Sequence, residues 1–463
     1  MNIVANQEPS VTFPVSIPNW LVYTQCILFA ILYGIWVLPE TILVRHLCLI
    51  AGALLGVFVI FRNRTLVLTK PAIPIGLIIT LFVWVIFHLV FLSRNPELQW
   101  YEFTTIWKRA AIGAIFAIGF GIALQSRNLT PKNKNRCWWL VYSGLALPTM
   151  IYWVKYVVTF SVSHFGFYAP DFLMLYQESA KFFIHKSAYV FFCLPVLAIA
   201  LGRLKEIFLG THWPKMEIAI YGLTVIAVLV NFAFEKDRNG AMYALLLLAI
   251  LAISSFIEKI KSLSSKNIII LFVLLLIPIS IAIKQINSNP HWSSIIDDAK
   301  IAIQIDRYDE WKYNGDKGYP INALGQTVSN SNYERIAWGT YGLRLIKQNP
   351  FGYGLVERSF GHLGKIQWPD AKLHQSHSAW MDFTLGLGIP GFLLLFGAGM
   401  LAWKQSFNMH LPWKSIGVWG LGATLLLLFT TEVSQRVYLD ALIFAILWVT
   451  SLTLGRAGNS AIN

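Results

Sequence analysis

Long runs of apolar residues, separated by short polar connections, recur along almost the whole chain. Most are roughly 17–23 residues long, the length an α-helix needs to cross a bilayer core about 30 Å thick. Backbone N–H and C=O groups find no partners in lipid, so such runs must satisfy their hydrogen bonds internally as helices. The pattern predicts an all-α polytopic membrane protein with about twelve transmembrane helices, near 20–38, 42–61, 73–93, 109–125, 138–160, 185–202, 216–234, 240–256, 267–284, 379–402, 415–431 and 437–455.

Positive residues mark one side of this predicted bundle. Alternate connections are rich in lysine and arginine: Arg62, Arg64 and Lys70; Arg127, Lys132, Lys134 and Arg136; Arg203, Lys205 and Lys215; Lys259, Lys261 and Lys266; Lys404 and Lys414. Because cytoplasmic loops carry an excess of Lys and Arg, we expect these connections to be cytoplasmic, with both termini on the same side.

One outward connection, 285–378, is much longer than a link between bundle helices needs to be, and loops of that length usually carry function. We therefore divide the chain into transmembrane helices 1–9 (1–284), a large outward loop (285–378) and transmembrane helices 10–12 (379–463), all within one integrated membrane domain. The first part of the loop, rich in glycine and proline, is expected to be irregular.

The second part of the loop predicts short helices. Ile336, Leu343 and Ile346 recur at near-helical intervals within Tyr333–Lys347, which favours a helix on or near the membrane interface. Asn349–Gly354 contains proline and two glycines and should end that helix.

Composition agrees with a lipid environment. Of the 463 residues, 56% are hydrophobic and only 13% are charged, about half the charge of a typical soluble domain. The net charge of +14 would suggest nucleic acid as a partner in a soluble protein, but its positive residues cluster between apolar runs, which membrane topology explains. With four scattered cysteines, we expect neither a disulfide nor a metal cluster.

Two arginines on the predicted outward side suit phosphate binding. Arg238 lies in a connection of a few residues between two apolar runs, and Arg335 lies one turn into the predicted loop helix. A guanidinium can donate two parallel hydrogen bonds to phosphate oxygens while its stem lies along apolar surface. The alternatives are an interfacial anchor or an ion pair with Glu235 or Asp237 for Arg238, and a solvated helix face or an ion pair with Glu334 for Arg335.

A third basic group, Lys181, His185 and Lys186, lies where an outward loop enters the sixth predicted span. These residues could attract an anionic headgroup for catalysis, or contact lipid headgroups with no catalytic role.

His374 and His377 stand at the mouth of the tenth predicted span, and at this spacing they would share a face if the segment were helical. An imidazole can take a proton from an attacking hydroxyl at neutral pH. A hydrogen-bonded interfacial histidine is the structural alternative, and a metal pair would need a further ligand from Asp370 or Asp382.

Glycines and a proline interrupt the start of the tenth predicted span, at Gly386, Gly388, Pro390 and Gly391. They indicate either a plain kink or irregular backbone lining a cavity.

Several of these segments together resemble the bacterial O-antigen ligases, within the wider group that includes O-antigen polymerases and protein O-oligosaccharyltransferases. The matching marks are Asp237–Gly240, Glu334–Trp338 leading into Asn349–Gly354, and Ser376–Trp380 followed by Gly388–Gly391.

The resemblance implies a metal-independent, cofactor-free, inverting glycosyltransferase of the bacterial inner membrane. Such an enzyme moves a glycan from undecaprenyl diphosphate to an acceptor on the periplasmic face. It implies that Arg238 and Arg335 hold the diphosphate and that His377 is the catalytic residue. Many relatives carry His-x-His-Asn where this chain has His374-Gln-Ser-His377-Ser378, so His374 is only a candidate supporting residue. Lys181 or Lys186 could replace an arginine common near the sixth span, without its bidentate contact.

The expected acceptor is a lipid A-core hydroxyl, and a pilin-type protein or a growing glycan would use the same donor. A transporter for lipid-linked oligosaccharides is the rival from another class, but it should place ionisable residues deep in its spans. In this chain few ionisable residues lie within the predicted spans, and the main candidates are Arg45, His46 and His88. This scarcity favours the enzyme over the transporter.

Overall fold

The computed structural model describes residues 16–210, 213–259, 294–431 and 436–454. These residues are all-α, with 74% helix and no strand. The described helices are α1 Asn19–Trp36, α2 Ile42–Arg62, α3 Ile73–Phe91, α4 Pro96–Glu102, α5 Lys108–Leu124, α6 Pro131–Phe165, α7 Lys186–Leu209, α8 Lys215–Phe234, α9 Arg238–Lys259, α10 Ile295–Ala302, α11 Asn330–Gln348, α12 Ser359–Gln367, α13 Ala379–Ser406, α14 Trp413–Ser415, α15 Gly422–Leu427 and α16 Arg436–Ser451. The all-α fold predicted from the sequence is confirmed.

Nine helices of the described residues are long and apolar enough to span a membrane. Of the other three predicted spans, 267–284 lies outside the described residues. The run 415–431 is divided among α14, a π-helical segment at Ile416–Leu421, and α15, while α16 is apolar but short. The long apolar runs therefore became helices, and the described part of the chain holds fewer full-length spans than the hydropathy pattern predicts.

Local sequence sets where α6 begins and ends. The Thr130 side chain accepts a hydrogen bond from the amide of Asn133, and Pro131 occupies the first helical position, where a missing N–H costs nothing. Gly166 ends the helix in the left-handed conformation, with φ of +67°. At 35 residues α6 is about 52 Å long, so it extends well beyond a bilayer core.

The bundle packs around α7, which is the most enclosed of the candidate spans, with 83% of its most apolar stretch buried. Helices α2 and α5 approach so closely that a Cβ on Gly56 would lie 2.6 Å from the carbonyl oxygen of Ile115. Small residues permit such contacts between membrane helices, where van der Waals packing drives association. Large apolar side chains such as Leu43, Leu54 and Phe61 stay exposed on the outside of the bundle, where lipid would cover them.

Residues 294–378 form a small cap on the bundle. After α10, residues 303–329 are largely irregular, with one short 3₁₀ turn at Glu310–Lys312, so the expectation for the first part of the loop is confirmed over the described residues. Helices α10, α11 and α12 pack around a cluster of their own that includes Trp311 and Tyr341. The predicted helix Tyr333–Lys347 is confirmed within α11.

Tyr333, Ala337, Tyr341 and Leu345 recur at i, i+4 and face the cap core, whereas Leu343 is 65% exposed. That α11 lies on or near the membrane interface stays a prediction.

Helix α13 is broken near its start, where Gly388 has φ of +72°. The freed backbone groups pair with the segment that follows α11: the amides of Tyr353 and Gly354 donate to the carbonyls of Leu385 and Gly386, and the amide of Ile389 donates to the carbonyl of Pro350. The break is thus neither a plain kink nor the wall of an open cavity. It is a joint that fixes the cap to the bundle.

A buried carboxylate strengthens the same joint. Glu102, at the end of α4, accepts hydrogen bonds from the amides of Val356 and Glu357 at 2.8–3.0 Å. His88 is fully buried beside it, with its ring bonded to the carbonyl of Phe351 and to the side chain of Gln99. Of the ionisable residues predicted within the spans, His88 therefore has a structural role.

Candidate functional site

Five helices begin around one cleft of about 590 Å³ on the end of the bundle that carries the cap. The lining includes the first residues of α7, α9 and α10, the first turns of α11, and the residue His377 just before α13. The N-terminus of a helix carries a partial positive charge and unsatisfied N–H groups, so this convergence favours an anion.

The predicted arginines lie in this cleft together. Arg238 is the first residue of α9 and is exposed to the cleft, while Arg335 reaches it from α11. The Arg335 guanidinium donates to the Asn239 side-chain oxygen at 3.4 Å, and the Asn239 amide donates to the carbonyl of Thr430 at 3.2 Å. Asn239 thus connects the two arginine-bearing helices to the segment after α15.

A tight turn positions Arg238. Lys236 adopts a left-handed backbone with φ of +49°, and the Asp237 carboxylate accepts a hydrogen bond from the amide of Gly240, which caps α9. Among the described residues no ion pair joins Arg238 to Glu235, whose carboxylate accepts hydrogen bonds from the hydroxyls of Tyr152 and Tyr176. Asp237 is likewise occupied as a helix cap, which leaves the Arg238 guanidinium facing the cleft.

His377 also lines the cleft, but its local structure differs from the expectation. Residues 371–378 are not helical, so His374 and His377 do not share a helix face. His377 has a left-handed backbone with φ of +58°, and its ring stacks on Trp338 of α11 at 5.2 Å between centroids. The Asp382 carboxylate accepts a hydrogen bond from the amide of Ser376, which holds the backbone at this turn.

His374 lies outside the cleft lining, and its side chain is exposed. Partial desolvation and the positive charges of Lys365 and Arg358 lower the pKa of His374 below its ordinary value. The structure therefore does not bring the two histidines to one site.

A carboxylate lies beside His377 on α11. Burial raises the pKa of Glu334, against the opposing effects of a hydrogen bond from the Tyr319 hydroxyl at 2.8 Å and of the nearby His377. Glu334 and Trp338 are one turn apart, so α11 presents a stacking surface and a charged group to the same imidazole.

The third basic group divides between the cleft and the surface. His185 and Lys186 line the cleft at the start of α7, whereas Lys181 is exposed outside the lining. Of the two lysines in this group, Lys186 is thus the one placed to act with the arginines.

Sequence reasoning missed several polar residues of the lining, among them Lys236, Asn332 and Thr430. Lys236 could have been found because it lies in the same turn as Arg238. Thr430 ends a long apolar run and carried no signal, since only the fold brings it next to α9.

The cleft is strongly positive. Its lining carries the cations Lys186, Lys236, Arg238 and Arg335 against a single carboxylate, Asp237. A surface of this kind attracts phosphates, and bidentate contacts from guanidinium groups would orient them.

A second cavity, of about 840 Å³, follows one face of α9 past Leu247 and Ile250 to Glu258. Its lining runs from Phe429, the sequence neighbour of Thr430 in the cleft, to Lys205 at the opposite end of the bundle. Most of its lining is apolar. The cleft and this cavity together suit a ligand with an anionic head and a long apolar tail.

Among the residues that the structure describes, no group of three His, Cys, Asp or Glu side chains is placed to hold a metal ion.

The family model described as O-antigen ligase matches residues 218–396, which include Arg238, Arg335 and His377. No curated protein matches the chain. The family predicted from the sequence is confirmed over the matched segment.

Proposed function

We propose, from the membership of residues 218–396 in the O-antigen ligase family, that this protein is an O-antigen ligase. That family is glycosyltransferase-like and implies a lipid-linked glycan donor. In our proposal the donor is a glycan on undecaprenyl diphosphate, the acceptor is a hydroxyl of lipid A-core, and the reaction inverts the anomeric carbon without a metal or other cofactor.

The observation that carries this proposal is the convergence of Arg238, Arg335 and His377 on one positive cleft. The two guanidinium groups, with Lys186 beside them, are suited to hold a diphosphate and to stabilise the negative charge that grows on it as it leaves. The neighbouring apolar cavity supports a donor with a polyprenyl tail.

His377 is proposed as the general base. The acceptor hydroxyl would attack the anomeric carbon from the face opposite the diphosphate, and its proton would pass to the imidazole. The new glycosidic C–O bond forms as the anomeric C–O bond to phosphate breaks, and undecaprenyl diphosphate leaves with the bonding electrons. Stacking on Trp338 holds the ring in place for that transfer. We assign no role to His374 or Lys181.

We further propose that the cleft faces the periplasm. In this topology the protein lies in the bacterial inner membrane, both termini are cytoplasmic, and twelve spans and the periplasmic loop 285–378 form one integrated domain. The support is the alternation of basic connections, since Lys132, Lys134 and Lys205 lie at the end of the bundle opposite the cleft.

The test is transfer by the purified protein from undecaprenyl diphosphate-linked glycan, with lipid A-core, a pilin-type protein or a second donor glycan as acceptor. A chelator is present in one arm. We expect product on lipid A-core that survives chelation and is lost in His377→Ala and Arg238→Ala.

Product on protein alone would reassign the chain to the O-oligosaccharyltransferases, and product on donor glycan alone to the polymerases. No transfer by folded wild type to any of the three would contradict the enzyme and favour a transporter.

A further inference from the structure

A second group of buried charges lies away from the cleft. Arg45 of α2 is 8% exposed, and Arg109 of α5 forms an ion pair with Asp440 of α16 at 3.1 Å. Arg45 interacts electrostatically with both, and His46 lies next to it along the chain. Buried charges at membrane helix ends are costly, so a group that the proposed reaction does not use calls for another explanation.

The charges in this group do not balance. Two guanidinium groups face one carboxylate, which leaves one formal positive charge. Among the described residues, the Nε atoms of both Arg45 and Arg109 have no hydrogen-bond partner. Burying a guanidinium N–H group without an acceptor destabilises the folded protein. A hydrogen bond to an anionic oxygen would offset that cost.

These residues surround a small cavity, of about 10 Å³, that is separate from the cleft. That volume suits one oxygen-sized group, so the rest of any ligand must lie outside it. Ile42 lines the cavity and is 53% exposed, and Leu43 and Leu47 beside it are exposed as well. The opening therefore lies on apolar surface of the kind that lipid covers.

The cavity is also at the depth of a lipid headgroup. Successive spans alternate in direction, so the starts of α2, α5 and α16 lie at the same end of the bundle as the cleft. Arg45 is only one turn inside α2, close to the level where lipid phosphates begin.

We propose that Arg45 and Arg109 form a binding site for the phosphate of an anionic membrane lipid, with one phosphate oxygen inserted between the two guanidinium groups. Asp440 orients Arg109 and reduces the positive charge of the site. The acyl chains of the lipid would then lie along the exposed apolar face of α2.

The experiment counts lipids bound to the purified full chain by native mass spectrometry, during titration with phosphatidylglycerol or phosphatidylcholine. We expect wild type to bind phosphatidylglycerol in preference. Arg45→Gln should weaken that binding about tenfold, the loss expected for a charge-assisted hydrogen bond. Asp440→Asn, which removes the competing carboxylate, should strengthen it several-fold.

The matched control is Arg307→Gln, which removes one positive charge from an exposed position of the cap and should bind lipid as wild type does. Unchanged binding in Arg45→Gln, or no gain in Asp440→Asn, would show a structural ion-pair cluster only. If Arg45→Gln fails to fold, the direction of change in Asp440→Asn decides the matter. Displacement of bound lipid by inorganic phosphate at equal concentration would overturn the lipid assignment in favour of a free anion.

Discussion

Asn239 connects the two arginines of the cleft. It follows Arg238 in the chain, and its side-chain oxygen accepts a hydrogen bond from Arg335. The two arginines should therefore act on a ligand as a unit. Contacts that share a network give non-additive losses when they are removed, and a lysine cannot replace the paired donors of a guanidinium.

We expect Arg238→Lys and Arg335→Lys each to lower kcat/KM for the lipid-linked donor by about tenfold or more, since each loses bidentate contact with phosphate. The double variant should lose much less than the product of the two single losses. Transfer kinetics of the four proteins measure this coupling. Strictly multiplicative losses would mean that the arginines act at separate places.

The two histidines should behave differently. His374 is exposed and lies outside the cleft lining, so His374→Ala should retain nearly all activity. His377→Ala should lower turnover by roughly 10²–10⁴-fold, the range for loss of a general base. Turnover of the two variants under saturating donor tests this, and equal losses would contradict the assignment of a single base.

The sequence predicted which side of the membrane these residues share, but not their contacts. Arg335 and Asn239 are 96 positions apart, and only the packing of the cap on the bundle brings them together. The two histidines would share a face only in a helix, and residues 371–378 are not helical. Hydrogen bonds such as that from the amide of Ser376 to Asp382 hold this turn, and they cannot be predicted from the spacing of the histidines.

At the scale of helices, the joint between α13 and Asn349–Gly354 determines where His377 lies. Gly388 has a backbone that favours glycine, and a Cβ there would lie 2.5 Å from backbone atoms of Phe351. A glycine at this place within an apolar run predicted a break in α13. The segment that pairs with the break, Asn349–Gly354, could not be predicted from the run itself.

Gly388→Ala should destabilise the protein by about 2 kcal/mol or more, through the strained φ and the backbone clash. The melting temperature in detergent and the rate of proteolysis of the cap measure this effect. Gly397→Ala, in the same helix, is the control: its Cβ would meet only Leu77 at 3.8 Å, an ordinary contact. Similar behaviour of the two variants would show that the joint carries no strain.

The helices differ in how well periodicity predicted them. Spans that face lipid, such as α2 and α3, follow the hydropathy pattern closely. The pattern is less informative for α11 and for the pieces between α13 and α16, because contacts with protein rather than lipid decide which side chains are buried there.

At the scale of the whole molecule, the proposed periplasmic reaction requires the cleft and the basic connections to face opposite sides of the membrane. All four native cysteines are buried, so single cysteines introduced at exposed sites would report on topology. A cysteine at Lys236 should react with an impermeant maleimide in intact spheroplasts, whereas one at Lys132 should react only after permeabilisation. The reverse pattern would place the cleft in the cytoplasm and remove the periplasmic reaction.

The most direct test of the central claim separates donor binding from transfer. Undecaprenyl diphosphate is titrated into purified wild type, His377→Ala and a variant carrying both Arg238→Gln and Arg335→Gln, and glycan transfer by the same preparations is then measured. We predict that His377→Ala binds the diphosphate as wild type does but transfers glycan roughly 10²–10⁴-fold more slowly, and that the arginine variant loses binding. Normal binding by the arginine variant would contradict the assignment of this cleft as the donor site.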